Sequence, residues 1–142
     1  MKAILGAGCF WGVEKAFKRF GKTRVGYTGG TAPNPTYHQV CSGKTGHLEA
    51  VLIETTEPYE YLLDTFWQIH DPTTPNRQRY DVGTQYRSAI FYFDDDQKKK
   101  ALASLEREQK KLGKKIVTEV LPAQEFFEAE EYHQNYLEKN MR

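Results

Sequence analysis

The chain is expected to fold as an α/β (α+β) protein of the ferredoxin-like, split-βαβ kind: a two-layer sandwich with extra loops and a C-terminal helix. Three observations lead there. Short apolar runs alternate with segments of helical period in the order βαβ, then βαβ, then αβ and a tail helix. Two long polar loops interrupt that alternation without breaking it. The 142 residues, 39% hydrophobic and 27% charged, suit one compact catalytic domain over 1–142 rather than a disordered chain.

The elements follow in order. Residues 2–5, apolar after Lys2, run into Gly6-Ala7-Gly8 and read as a buried strand with a turn after it. Residues 10–20 place Phe10, Val13, Phe17 and Phe20 at helical spacing, with Lys15, Lys18 and Arg19 between them. Cys9 therefore falls where a strand turns into the first turn of a helix. Residues 23–27 read as a second strand, stopped by Gly29-Gly30, and residues 31–46 as a loop rich in Gly, Pro, Asn and Ser. Residues 49–55 alternate as a strand. Residues 59–70 form a helix with Leu62, Leu63, Phe66, Trp67 and Ile69 toward the core, ended by Asp71-Pro72. Residues 73–83 are a second polar loop and residues 85–93 a strand. Residues 94–112 form a charged outer helix whose acidic start and Lys110-Lys111 end match the helix dipole, closed by Gly113. A strand over 116–121 follows, and residues 125–138 are expected to be largely helical.

Composition excludes several classes of function. A net charge of +1 asks for neither nucleic acid nor an anionic membrane surface. No run approaches the ~20 apolar residues of a membrane span, and the apolar start is too short for a secretory leader, so a cytoplasmic protein is expected. Cys9 and Cys41 are too few for a disulfide scaffold and lack C-x-x-C spacing. The four histidines share no metal-ligand spacing with either cysteine, so no metal is expected. The glycines from Gly6 to Gly12 miss the dinucleotide fingerprint by one residue.

The chemistry concentrates at Cys9. A thiolate is the nucleophile, and the positive end of a helix is expected to lower the thiol's pKa. Phe10 and Trp11 follow directly, two aromatics able to wall an apolar pocket around a small methyl-bearing group. Both polar loops are crowded with donors and acceptors, including Tyr37, Asp81 and Tyr86, and Glu49 opens the strand after the first loop.

Several segments together resemble one family, peptide methionine sulfoxide reductase A. They are Gly8-Cys9-Phe10-Trp11-Gly12-Val13-Glu14, Gly26-Tyr27-Thr28-Gly29-Gly30, Asn34-Pro35-Thr36-Tyr37, Gly46-His47-Leu48-Glu49 and 81–88, with a weaker match at Ala129-Glu130-Glu131-Tyr132-His133-Gln134. The resemblance covers nearly the whole chain. It implies thiol-dependent reduction of the S epimer of methionine sulfoxide, in proteins, in peptides and free, with no cofactor. By the same resemblance Cys9 is the nucleophile, and Glu49 the acid that protonates the sulfoxide oxygen. Tyr37 and Tyr86 are hydroxyl donors, Asp81 supports the polar network, and Phe10 and Trp11 cage the methyl group. Attack leaves Cys9 as a sulfenic acid.

Two departures stand out. Many relatives carry resolving cysteines in a tail, whereas this sequence ends Lys139-Asn140-Met141-Arg142. Cys41 is then expected to be structural, with thioredoxin, glutaredoxin or a small thiol reducing the sulfenic acid directly. Arg79-Tyr80 stands where the family more often has a glycine-containing pair, a change at the pocket rim. A monomer is expected. Two other readings compete: a cysteine hydrolase or transferase activated by His47 or His133, and a non-catalytic methionine-binding module. A Glu49→Gln variant set against histidine variants separates the first, and trapping of a Cys9 sulfenic acid the second.

Overall fold

A computed structural model, which describes residues 1–140, has a six-stranded sheet at its centre. Its core is built from β1 (Lys2–Ala7), α1 (Phe10–Phe17), β2 (Gly21–Thr28), β3 (Leu48–Thr55), α3 (Tyr59–Ile69) and β6 (Ser88–Tyr92). These strands lie in the order β6-β1-β3-β2. β1 is antiparallel to both β3 and β6, and β2 to β3. Each helix thus crosses between strands separated by one neighbour, the interleaved pattern of a split βαβ pair.

The remaining elements extend this core. α2 (Tyr37–Cys41) lies inside the first polar loop, and the hairpin β4 (Arg77–Gln78) and β5 (Asp81–Val82) inside the second. α4 (Asp95–Lys111) leads to β7 (Glu119–Pro122), which pairs parallel to β6 at one edge. β8 (Phe127–Glu128) pairs antiparallel to β2 at the other, and α5 (Tyr136–Asn140) closes the described chain.

Alternation along the strands makes the two faces. Leu5, Val25, Tyr27, Val51, Ile53 and Ile90 pack with Phe10, Val13 and Phe17 of α1 and Leu62, Leu63 and Phe66 of α3 in the main core. Ile4, Leu48, Ala50, Ala89 and Phe91 form a smaller cluster on the opposite face, with Leu121, Ala123 and Phe126 against it. The Trp67 indole N–H donates to Ser104 Oγ at 2.7 Å and joins α3 to α4. Asp94 caps α4 by accepting from the Gln97 N–H at 2.8 Å, as its acidic start foretold.

Three expectations need correction. The helix over 10–20 is α only to Phe17 and finishes as a 3₁₀ turn over Lys18–Phe20. The strand expected from residue 85 begins at Ser88, after a 3₁₀ turn over Thr84–Tyr86. The largely helical tail does not form: residues 127–128 are a strand, Glu131–His133 a 3₁₀ turn, and only Tyr136–Asn140 is helical. Tertiary contact decides the tail. Gln134 holds β2 from both sides, its Oε1 accepting from the Val25 N–H and its Nε2 donating to the Val25 carbonyl, each at 2.9 Å. Among the described residues no helix is long and apolar enough to cross a membrane.

Candidate active site

Cys9 is the N-cap residue of α1, at the turn out of β1. Gly8 makes that turn with φ +98°, and a side chain there would collide with Gln78. The next residue, Phe10, points its backbone N–H at Glu49 Oε1, 3.1 Å away. Glu49 has the same strand parity as Val51 and Ile53, so it faces the helices. It ends that face directly beneath the start of α1. The sulfur and the carboxyl thus come together because β1 and β3 are neighbours and α1 begins over them.

Glu49 is 1% exposed. One oxygen is bonded to Phe10, and the other, Oε2, is buried without a partner. Burial is the main cause that pushes its pKa up to about 8, against the Phe10 N–H and with help from the Asp81 charge. Glu49 therefore holds a proton at neutral pH. The helix end was expected to make Cys9 acidic, and it does not prevail. Burial first, then Glu49, drives the thiol up to about 11, outweighing the N–H groups of Trp11 and Gly12. The resting site carries two protons, one on sulfur and one on oxygen.

The phenols lie around the same acids. Burial and the Glu49 charge push Tyr86 up to about 12, with smaller effects from Cys41, Asp81 and Cys9. It remains a hydrogen-bond donor. Tyr37 is raised too, chiefly by burial, with the neighbouring Cys41 side chain next in effect. Cys41 ends α2 and is exposed. Asp81 opens β5 beside the site and raises the pKa of Cys9, Glu49 and Tyr86 by its charge.

Phe10 is 1% exposed, and its ring lies against Tyr27, Tyr37 and His133. Trp11 is held on two sides: its indole stacks on Tyr136 at 3.8 Å and its N–H donates to His133 Nδ1 at 2.9 Å. A cavity of about 420 Å³ opens beside Cys9, lined also by Val13, His70, Gln78, Arg79 and Asp81, whereas Phe10, Trp11, Tyr37, Glu49 and Tyr86 lie outside its lining.

The tail supplies residues whose work the sequence did not reveal. Glu130 accepts from the Tyr27 hydroxyl and the Tyr37 N–H, both at 2.9 Å. Buried Glu14 accepts from Thr23 Oγ1 at 2.8 Å and the Asn135 N–H at 2.7 Å. His133 fixes Trp11. The match at 129–134 marked this segment without showing what it touches. His47 bonds the Gly30 N–H and the Ala32 carbonyl, and His70 the Phe66 carbonyl and Ser88. Among the described residues no histidine hydrogen-bonds Cys9, and no cluster of His, Cys, Asp and Glu could hold a metal ion.

Fold and site define an α/β sandwich in which a helix-start cysteine lies beside a buried carboxyl group. The profile of the family described as peptide methionine sulfoxide reductase matches residues 1–142, and the chain belongs to that family. It is 54% identical over 146 residues to the peptide methionine sulfoxide reductase of Lactuca sativa, covering 99% of this chain but 56% of that protein. The chain thus spans just over half the length of that relative. Identity to peptide methionine sulfoxide reductase MsrA of Methanothermobacter thermautotrophicus is 56% over 150 residues, covering 99% of this chain and 88% of the relative. Mxr1 of Saccharomyces cerevisiae in reduced form superposes with a TM-score of 0.93 at 38% identity, over 99% of this chain and 85% of that one. The same yeast protein in complex with Trx2 gives 0.63 at 25% identity, over 96% and 84%.

Proposed function

We propose that this chain reduces the S epimer of methionine sulfoxide, in proteins, in peptides and as the free amino acid, to methionine through a Cys9 sulfenic acid. The observation that carries this reading is the buried Glu49 carboxyl bonded to the first N–H of the helix that bears Cys9, where burial favours its protonated form. A sulfoxide oxygen leaves sulfur only when its charge is met, and a carboxyl group titrating near neutrality is suited to meet it. Tyr86 and Tyr37 donate to the oxygen as its S–O bond weakens. Phe10 and Trp11 hold the methyl group, and Asp81 supports the polar side.

In the reaction Cys9 Sγ attacks the sulfoxide sulfur and Glu49 protonates the oxygen. The thiol proton replaces the one Glu49 has given. The balance is one thiol and one sulfoxide to one sulfenic acid and one thioether. Two external thiols then return Cys9 to the thiol with loss of water and formation of their disulfide. The yeast complex with Trx2 supports thioredoxin in that role, and glutaredoxin or a small thiol would serve by the same chemistry. We further propose a single catalytic domain over 1–142 that works as a monomer in the cytoplasm, with neither nucleic acid nor membrane as partner and with no cofactor.

The test is a stoichiometric assay with the separated epimers and no reductant. About one methionine per protein is expected from the S epimer alone, with Cys9 trapped as the sulfenic acid. Equal consumption of both epimers contradicts the assignment.

A further inference from the structure

Among the described residues, four that are not glycine adopt a positive φ: Asn34, Asn76, Arg79 and Asn135. Three are asparagine, which tolerates the left-handed region because its short side chain bonds locally. Arg79, at φ +54°, has no such excuse. It is the first of two residues joining β4 to β5, while Tyr80 beside it has no positive φ. A two-residue hairpin turn with a positive φ at its first position alone is the kind that favours glycine there. The chain uses glycine or asparagine at its other left-handed positions and keeps an arginine at this one.

The place is as telling as the strain. Arg79 lines the cavity that holds Cys9 and Asp81. Its side chain is exposed, and among the described residues its guanidinium makes no hydrogen bond or ion pair. The Arg77 side chain reaches only its carbonyl, at 2.9 Å. Tyr80, next to it, is 98% exposed. Strained backbone that persists at the edge of a cavity opening onto the Cys9 sulfur points to use, and an unpaired guanidinium is shaped to take a carboxylate through two parallel N–H bonds.

We propose that Arg79 selects peptide substrates in which an acidic residue flanks the oxidised methionine. This rests on the sulfoxide-reductase reading above and names the substrate class of that same site. The oxidised side chain enters beside Cys9, and the flanking carboxylate of the same peptide meets the guanidinium at the cavity mouth. Asp81 keeps the mouth from being uniformly basic, so the preference is confined to the flank that reaches residue 79.

Blocked peptides with a central methionine S-sulfoxide flanked by Glu, Gln or Lys test this by their kcat/KM. For the intact protein we expect Glu over Gln by about fivefold at low salt, the scale of an exposed ion pair, with Lys below Gln and the spread shrinking at high salt. Arg79→Gly should erase the ranking, keep the Gln peptide within about twofold of the parent rate, and raise the unfolding temperature by relieving the turn. Arg79→Glu should reverse the ranking. The same Glu-to-Lys ratio in the parent protein and in Arg79→Gly overturns the proposal. Failure of the intact protein to turn over even the Gln peptide would instead sink the reading of the site, and this proposal with it.

Discussion

At the scale of single residues, the protonation of two groups decides the chemistry. In the proposed reaction Glu49, held up to about 8 by burial, is the acid, so Glu49→Gln should lower kcat by about 10²–10⁴ while the protein still folds. Tyr86→Phe removes one of the donors proposed for the oxygen, and a loss on the order of 10² in kcat is expected. His133 acts through Trp11. His133→Phe keeps a ring but loses the acceptor, and should raise the KM for sulfoxide about tenfold, in line with one unmade buried hydrogen bond. His133→Asn, which can restore an acceptor near Nδ1, should recover much of it. Steady-state kinetics on the pure S epimer checks all four variants. Cys9 was legible as a residue at a strand–helix junction, because glycine before it and a helical period after it are local signals. Its acidity was not legible. Burial by the surrounding fold suppresses ionisation first, and the Glu49 charge that adds to it comes from a strand residue 40 positions away, 49 − 9.

Among the elements, strands β1, β2 and β3 and helices α1, α3 and α4 could be read from apolar period and caps. The tail could not. Its apolar residues Phe126, Phe127, Ala129 and Tyr132 have spacing that a helix would tolerate, but their partners lie across the molecule. Gln134 and Val25 are 109 residues apart, and Asn135 and Glu14 are 121 apart. Such pairs override local propensity and leave no mark in the segment itself. The tail also carries His133 and Glu130, so the site depends on it. Gln134→Leu removes the bonds to Val25 and a third to the Ala129 carbonyl at 3.0 Å. A loss of about 2–3 kcal/mol is expected in urea unfolding, at about one per buried bond. Sulfoxide affinity should fall in parallel as Trp11 loses its support.

For the molecule as a whole, the same buried acid links stability to pH. The pKa of Glu49 is raised on folding from 4.5 to about 8, so the native state keeps a proton that the unfolded chain gives up. The stability this group contributes is full below about pH 4.5 and is lost as pH rises through about 8. Thermal unfolding of Glu49→Gln should show a flatter dependence across that window than the parent protein. The split-βαβ order β6-β1-β3-β2 was foreseeable as a class from two βαβ units. The strand sequence within the sheet became readable only in three dimensions, as did the meeting of Cys9 with Glu49. That meeting is tested most directly by the single-turnover rate of methionine formation from the S epimer, followed from about pH 6 to about pH 10 in the parent protein and in Glu49→Gln. A rate that falls in the parent as pH passes about 8, and is slow without that fall in the variant, is the predicted result. A Glu49→Gln rate equal to the parent's, or a parent rate that climbs steadily as the thiol ionises, would contradict it.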